Sequence, residues 1–327
     1  MAAYEPPFTM TNEITALLVE VSDLAGRISV TAGAATPVLR RQNRVRTIYS
    51  SLAIEQNTLT LDQVTAVLNG KRVLAPPRDI REVQNAYEAY DRLSELDPLS
   101  LDDLLKAHRF MMAGLTQEAG LFRSGNVGVF RGDQLIHAGT PAAYVPEVMA
   151  QLFDWLKASP LPLLLKSCIF HYEFEFIHPF SDGNGRMGRL WHSLLLRRWK
   201  PFFAWLPVET LIHERQDGYY AALNVSNSSG RSTPFVAFML TIIRDALKDL
   251  QNADVGENVG ENVGEKLTRS EEKVLAALKR CPEISAGKLA EQLGLTSRQV
   301  ERLLAALKAK NKVARIGPAK GGSWKVL

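Results

Sequence analysis

The chain is poor in cysteine: Cys168 and Cys281 are the only two among 327 residues. Two cysteines cannot build a disulfide framework. Both fall in segments that read as helix, so they are expected as buried free thiols in a reducing, cytoplasmic setting. Long apolar runs are also missing. Lys166 and Arg244 interrupt the best candidates, so none reaches the length of a membrane span. The opening Met1-Ala2-Ala3-Tyr4-Glu5-Pro6-Pro7 has neither the basic nor the apolar stretch of a secretion signal. There is no strong excess of one charge either, the formal net being +4. What remains is the class of soluble globular proteins, with a length that suggests two domains.

The near-neutral total conceals an uneven distribution. Residues 265–327 hold 14 Lys/Arg against 6 Asp/Glu, while the preceding 264 residues hold 25 against 29. A mildly acidic large domain followed by a compact basic one suggests two kinds of partner. Between them, in Asp254–Gly264, Val-Gly-Glu-Asn occurs twice before a final Val-Gly. A tetrapeptide with one apolar residue and one glycine builds no core, so a flexible linker is expected at 253–265. The expected organisation is an amino-terminal helical segment at 1–40, a main domain at 41–252, the linker, and a small domain at 266–327.

Apolar spacing predicts helices over 11–30, 43–57, 59–68, 80–95, 101–114, 142–158, 161–177, 184–199, 212–225 and 232–251. One stretch departs from this pattern. Gly120–Gly139 is rich in Gly, Val and Phe, and Gly132-Asp133 separates Val127–Arg131 from Gln134–His137, which signals a β-hairpin.

The densest chemistry lies at His178-Pro179-Phe180-Ser181-Asp182-Gly183-Asn184-Gly185-Arg186-Met187-Gly188-Arg189. Gly183 and Gly185 permit backbone conformations that aim consecutive N–H groups at one anion. A helix beginning there adds its dipole and its free N–H groups. Arg186 and Arg189, three residues apart, share a helical face and can fork onto one phosphate chain. Asp182 is placed to hold a divalent cation against phosphate oxygens. His178 can take a proton near neutral pH. His171, Glu175 and His178, at i, i+4 and i+7, also leave a zinc site open as a reading.

At every specified position this string matches the signature of the Fic family, His-x-Phe-x-Asp/Glu-Gly-Asn-Gly-Arg-x-x-Arg, and the resemblance extends over roughly residues 40–245. It implies a mainly α fold: a helical bundle with a β-hairpin flap, here followed by a small winged-helix domain. It also implies transfer of AMP from ATP to a Ser, Thr or Tyr hydroxyl of a protein, with release of pyrophosphate. By position, His178 would be the general base and Phe180 the anchor of the loop. Asp182 would hold Mg²⁺ between the α- and β-phosphates. The backbone of Gly183, Asn184 and Gly185 would line the anion hole, leading into Met187 and Gly188, with Arg186 and Arg189 on the distal phosphates. Val127, Gly128, Val129 and Phe130 resemble the flap that covers the nucleotide and offers a strand edge to the target protein. Tyr219-Tyr220 and Asn227 resemble residues that shape the nucleoside pocket, Tyr219 ahead of Tyr220, although aromatics at such a place are often core.

Upstream, Ser51-Leu52-Ala53-Ile54-Glu55-Gln56-Asn57 resembles the family's inhibitory motif, Ser/Thr-x-x-x-Glu-Gly/Asn. Ser51 and Glu55 lie one helical turn apart. The resemblance implies that Glu55 reaches Arg189 in place of the γ-phosphate, leaving bound ATP misplaced for attack. Gln56 stands where Gly or Asn is expected. With the motif ahead of the signature, the chain is similar to the class with an amino-terminal inhibitory helix. Removal of AMP, with Glu55 aligning a water, is an open alternative.

The basic region reads as helix 270–279, helix 285–293, helix 296–308 and paired strands 313–316 and 323–326. That order resembles a winged helix-turn-helix, with Ser297, Arg298, Gln299 and Arg302 on or near the recognition face and Lys320 on the wing. Winged helices bind DNA but also proteins and second copies of themselves. DNA through 266–327, with the whole chain a nucleotide-sensing regulator, and a homo-oligomer therefore both remain open.

Overall fold

The structure, a computed structural model, describes residues 4–31, 36–131, 134–257 and 269–293, and beyond those residues 300, 303–304, 307–308, 312–316 and 323–326. Two compact units divide at Asn252/Ala253. Among its described residues, the regular structure of the first is helical apart from one hairpin.

Local signals set the helix ends. α1 (Asn12–Thr31) lays Ile14, Leu17, Val21, Leu24 and Ile28 into the main core. The expected boundary after residue 40 falls inside α2 (Pro37–Ile54), which opens at Pro37 with Leu39 N donating to Thr36 Oγ1 at 3.2 Å. α3 (Leu61–Leu68) starts in a capping box: Gln63 N donates to Thr60 Oγ1, and Thr60 N donates to Gln63 Oε1, satisfying two otherwise orphaned donors. α4 (Pro77–Asp91) and α5 (Leu101–Met111) follow, the latter capped by Ser100. The hairpin comprises β1 (Gly128–Arg131) and β2 (Gln134–Ala138), paired Gly128 with Ala138 and Val129 with His137, with the register shifting between Val129 and Phe130. α6 (Val145–Ala158) leads to the central pair, α7 (Leu163–Ile177) and α8 (Asn184–Trp199). α7 is buried almost all round, from Leu164 and Leu165 through Phe170 to Ile177, as expected for a helix at the middle of a bundle.

The helix expected over 212–225 is two: α9 (Val208–Glu214) and α10 (Gln216–Ser229). The break is at Arg215, whose φ is −116° and whose Nη1 donates to Asp245 Oδ2 at 2.7 Å. α11 (Thr233–Glu257) carries helix into the first residues of the expected linker; the remainder of that linker lies outside the described residues. Cys168 is buried, and burial pushes its thiol up to about 12; Cys281 is exposed just past the next helix, so only one of the two thiols is enclosed. No helix among the described residues is long and apolar enough to cross a membrane.

In the second unit, α12 (Arg269–Arg280) and α13 (Ala286–Leu293) are followed by β3 (Val313–Ile316) antiparallel to β4 (Ser323–Val326). Val274, Leu278, Leu289, Val300, Leu304, Leu307 and Val313 make its core. The expected recognition residues Ser297, Arg298, Gln299 and Arg302, and Lys320 of the wing, lie outside the described residues.

The carboxyl end of α2 is closed in an unusual way. Glu55 N donates to Leu52 O, Gln56 N to Ala53 O and Asn57 N back to Leu52 O, so the helix ends through a left-handed residue. That residue is Gln56, at φ 65°, where a Cβ costs energy that glycine avoids. Gln56→Gly is therefore expected to stabilise the protein by about 0.5–1 kcal/mol in urea unfolding, strain relief exceeding the added freedom of the unfolded chain. A loss of stability would show that Gln56 is held in that conformation by something other than the helix end.

Candidate active site

The loop between α7 and α8 is built around two left-handed residues. α7 ends when His178 adopts φ 54°, with its N–H still donating to Phe174 O at 3.0 Å. α8 begins after Gly183 at φ 87°, where a Cβ would meet Met112 Sδ at 2.7 Å. A non-glycine residue in this region needs its surroundings to hold it. Arg123 does so: almost fully buried, it donates from Nε to His178 O at 2.7 Å, and from its terminal nitrogens to Gly125 O, Thr140 O and Ile177 O. Its own N–H donates to Pro179 O, and Thr140 N donates to Ile177 O. One guanidinium thus ties the base of the hairpin to the residue expected to take the proton. Burial lowers its affinity for its proton without discharging it.

The rest of the loop is held from within. Asn184 brackets Phe180, accepting from its N–H at 2.9 Å and donating to its carbonyl at 2.8 Å. Phe180 is fully enclosed and stacks on His108, with ring centroids 3.6 Å apart and an interplanar angle of 3°. Gly120 N donates to His108 Nδ1, so Nε2 carries the hydrogen that reaches Asp182 O at 3.1 Å. Burial pushes His108 down to about 4 despite that bond, so the ring is neutral at ordinary pH.

The charges meet at the first turn of α8, whose leading N–H groups have no intrahelical acceptor. Glu55 comes from the end of α2 and stands against Gly185, where a Cβ would lie 2.2 Å from Glu55 Oε1. Arg189 is 1% exposed. Its Nη2 donates to Glu55 Oε1 at 2.8 Å and to Ser51 O at 2.9 Å, and its Nε donates to Ser51 Oγ at 3.1 Å. Burial works against the charge on Arg189, but Glu55, Tyr219 and Glu175 together outweigh it and the guanidinium is held more firmly protonated than usual. Arg186 donates to Asp182 Oδ1 at 2.9 Å and lies 3.3 Å from Glu82 Oε1, while Arg78 donates to Asp182 Oδ2 at 2.9 Å. Met187 and Gly188 are buried within α8, and Gly188 lets Glu175 Oε1 approach to 2.5 Å from where a Cβ would stand.

Asp182 is the acidic side chain at the mouth, 39% exposed, and among the described residues no three acidic, histidine or cysteine side chains form a cluster fit for a metal ion. A Mg²⁺ that arrives with phosphates and waters needs only one or two carboxylates. Asp182 fits such an ion as its single protein ligand if Arg78 and Arg186 turn to the phosphates. The zinc reading fares differently. His171 is buried with Nε2 3.2 Å from the Tyr219 hydroxyl, and the chain leaves the helix at His178.

The remaining expected residues divide. Val127 and Gly128 are half-buried beside the loop, and Val127 Cγ2 and His178 Cβ each lie 3.3 Å from where a Gly139 Cβ would stand. Val129 and Phe130 continue β1. Tyr219 is enclosed, 2% exposed, with its ring against Phe235. Its hydroxyl lies 3.2 Å from His171 Nε2, and its ring meets that of the half-buried Tyr220 edge-on at 5.5 Å, Tyr220 donating to Ile54 O at 3.5 Å. Asn227 Oδ1 accepts from the Tyr172 hydroxyl at 3.1 Å. Arg123, His108, Arg78 and Glu82 join the site without any mark in the sequence. A single arginine in an irregular loop and a single histidine on an amphipathic helix carry no spacing signal.

A family model described as Fic/DOC family matches residues 98–196. A crystal structure of a Fic family protein from Desulfovibrio desulfuricans G20 is similar with a TM-score of 0.74 and 44% identity, over 99% of this chain and 98% of that one. Fic-1 (residues 134–508) from Caenorhabditis elegans is similar with a TM-score of 0.63 and 27% identity, over 75% of this chain and 73% of that one. The protein adenylyltransferase fic-1 of C. elegans is 35% identical over 209 residues, 59% of this chain. The match spans 38% of that protein's length.

The neutral state of His108 gives a pH signature. Its folded value lies below the ordinary one of 6.5, so the unfolded chain binds a proton that the folded chain refuses, and stability falls as pH drops from about 6.5 toward 4. Between pH 7 and pH 5 this amounts to about 2 kcal/mol. Urea unfolding at the two pH values is expected to show His108→Gln losing about that much less than wild type. Equal losses would contradict the assignment.

Proposed function

The chain belongs to the Fic family, and from that premise we propose that it is a protein adenylyltransferase, moving AMP from ATP to a Ser, Thr or Tyr hydroxyl and held off by Glu55. The carboxylate of Glu55 against Gly185, bonded to Arg189, carries the reading: an anion already sits in the anion site, where the helix N-terminus and a buried guanidinium converge. The name of the C. elegans relative supports the activity.

In the transfer, a ring nitrogen of His178 takes the proton of the target hydroxyl as that oxygen attacks the α-phosphorus. A new O–P bond forms, the bond from the α-phosphorus to the bridging oxygen breaks, and pyrophosphate leaves. Phosphoryl-type transfer of this kind rests on positioning and charge neutralisation. Arg186 and Arg189 hold the distal phosphates, and the N–H groups of the first turn of α8 face the negative charge. Asp182 would hold Mg²⁺, which would neutralise phosphate charge when bound. Tyr219, ahead of Tyr220, and Asn227 border the nucleoside. The Val127–Phe130 edge takes a segment of the target protein as an added strand. With Glu55 on Arg189, the terminal phosphate is displaced and the α-phosphate lies out of line with His178.

Labelled ATP with Mg²⁺ tests this. Glu55→Gly is expected to incorporate about tenfold or more label than wild type, into itself or a target, and Glu55→Gly/His178→Ala none. Glu55→Gly that binds ATP but transfers no label contradicts the proposal. A pre-modified target that loses AMP with wild type, but not with Glu55→Gly, would assign removal of AMP instead.

The second unit favours a further role. Residues 265–327 carry the excess of basic residues, and the order helix, helix, antiparallel hairpin suits a winged-helix contact with DNA. Such binding would weaken steeply with salt.

A further inference from the structure

A second carboxylate, which neither the signature nor the inhibitory motif uses, acts on Arg189. Glu175 lies on α7, one turn before His178, and presses on α8 at Gly188, where its Oε1 would stand 2.5 Å from a Cβ. Its side chain is 11% exposed, and Oε1 is buried without a hydrogen-bond partner. The charges that act on it are those of Arg189 on α8 and Glu55 at the end of α2; it acts in turn on Tyr219 and Tyr220 of α10, and His171 Nε2 on its own helix is 3.8 Å away. The tyrosines are held protonated, chiefly by burial, and burial keeps His171 neutral. The one cation in this group is therefore Arg189, paired with Glu55 and also stabilised by the charge of Glu175.

A buried guanidinium left without a counterion is costly, and the displacement of Glu55 would create that situation. We propose that Glu175 is a positioning residue, the reserve counterion of Arg189. It holds the guanidinium in place while Glu55 is away, and yields by taking a proton from solvent when a nucleotide's terminal phosphate arrives. This rests on the reading that Arg189 receives that phosphate. The electrostatics agree with the geometry. Burial pushes Glu175 up to about 8, Arg189 pulls it down, and Glu55 raises it. A docked anion on Arg189 therefore favours the protonated form, and its removal favours the ionised form.

Calorimetric titration with ATP and Mg²⁺ in two buffers of different ionisation enthalpy counts the protons taken up on binding. At pH 7.5, Glu55→Gly is expected to take up a measurable fraction of a proton more than Glu55→Gly/Glu175→Gln. The double variant is expected to bind ATP more tightly by a ratio that grows with pH, by at most about tenfold per pH unit. Glu55→Gly/Glu175→Asp should restore the uptake. Loss of packing alone would shift affinity without changing the proton count. Equal uptake and parallel affinity–pH curves in Glu55→Gly with and without Glu175→Gln would overturn the proposal while leaving the nucleotide reading intact. Failure of Glu55→Gly to bind ATP, or undiminished binding on adding Arg189→Ala, would overturn both.

Discussion

The buried charge of Arg189 is the constraint on which the site depends. A guanidinium 1% exposed cannot be left unpaired without a penalty of about 3–5 kcal/mol, so something anionic must accompany it in every state the protein visits. In the resting state that partner is Glu55, with Ser51 contributing its carbonyl and hydroxyl. The end of α2 is thereby fastened to the first turns of α8 by charge as well as by the packing of Ile48, Leu52 and Ile54. The need to satisfy Arg189 makes the site one for an anion and, on the proposed reading, also supplies its inhibitor.

Around that charge the loop is rigid by construction. His178 and Gly183 bound it with left-handed backbone, Asn184 ties Phe180 at both its N–H and its carbonyl, and Phe180 is clamped on a neutral His108. Arg123 then links the loop to the residues that flank the hairpin, Gly125 and Thr140. Catalytic geometry of this kind is useful only when the supporting layer is fixed, and here most of that layer is buried. What can move is the part that should: Glu55, with 34% of its side chain exposed, at the end of a helix closed by a strained Gln56.

Much of this is legible in the sequence, because glycines and charges at fixed spacing carry meaning. The twelve-residue signature marks where α7 ends and α8 begins, and the turn-by-turn spacing of Ser51 and Glu55 leads to Arg189. The bounds of α8, β3 and β4 follow from apolar period and turn residues. Other features are not legible. The left-handed geometry of Gln56 has no glycine to announce it. Arg123 and His108 act through contacts 55 and 74 residues away in the chain, which no local pattern encodes. Tyr219 is enclosed against Phe235 with its ring edge-on to that of Tyr220, contacts that a Tyr-Tyr pair in the sequence does not announce. The break between α9 and α10 depends on Arg215 meeting Asp245 on another helix.

The central claim is that Glu55 and a nucleotide's terminal phosphate contend for one guanidinium, and comparative binding of ATP and AMP tests it most directly. AMP has no distal phosphate to offer Arg189. Titration calorimetry of wild type and Glu55→Gly should therefore find ATP binding strengthened about tenfold or more by the substitution, and AMP binding nearly unchanged. Equal gains for both nucleotides, or no gain for ATP, would contradict the account.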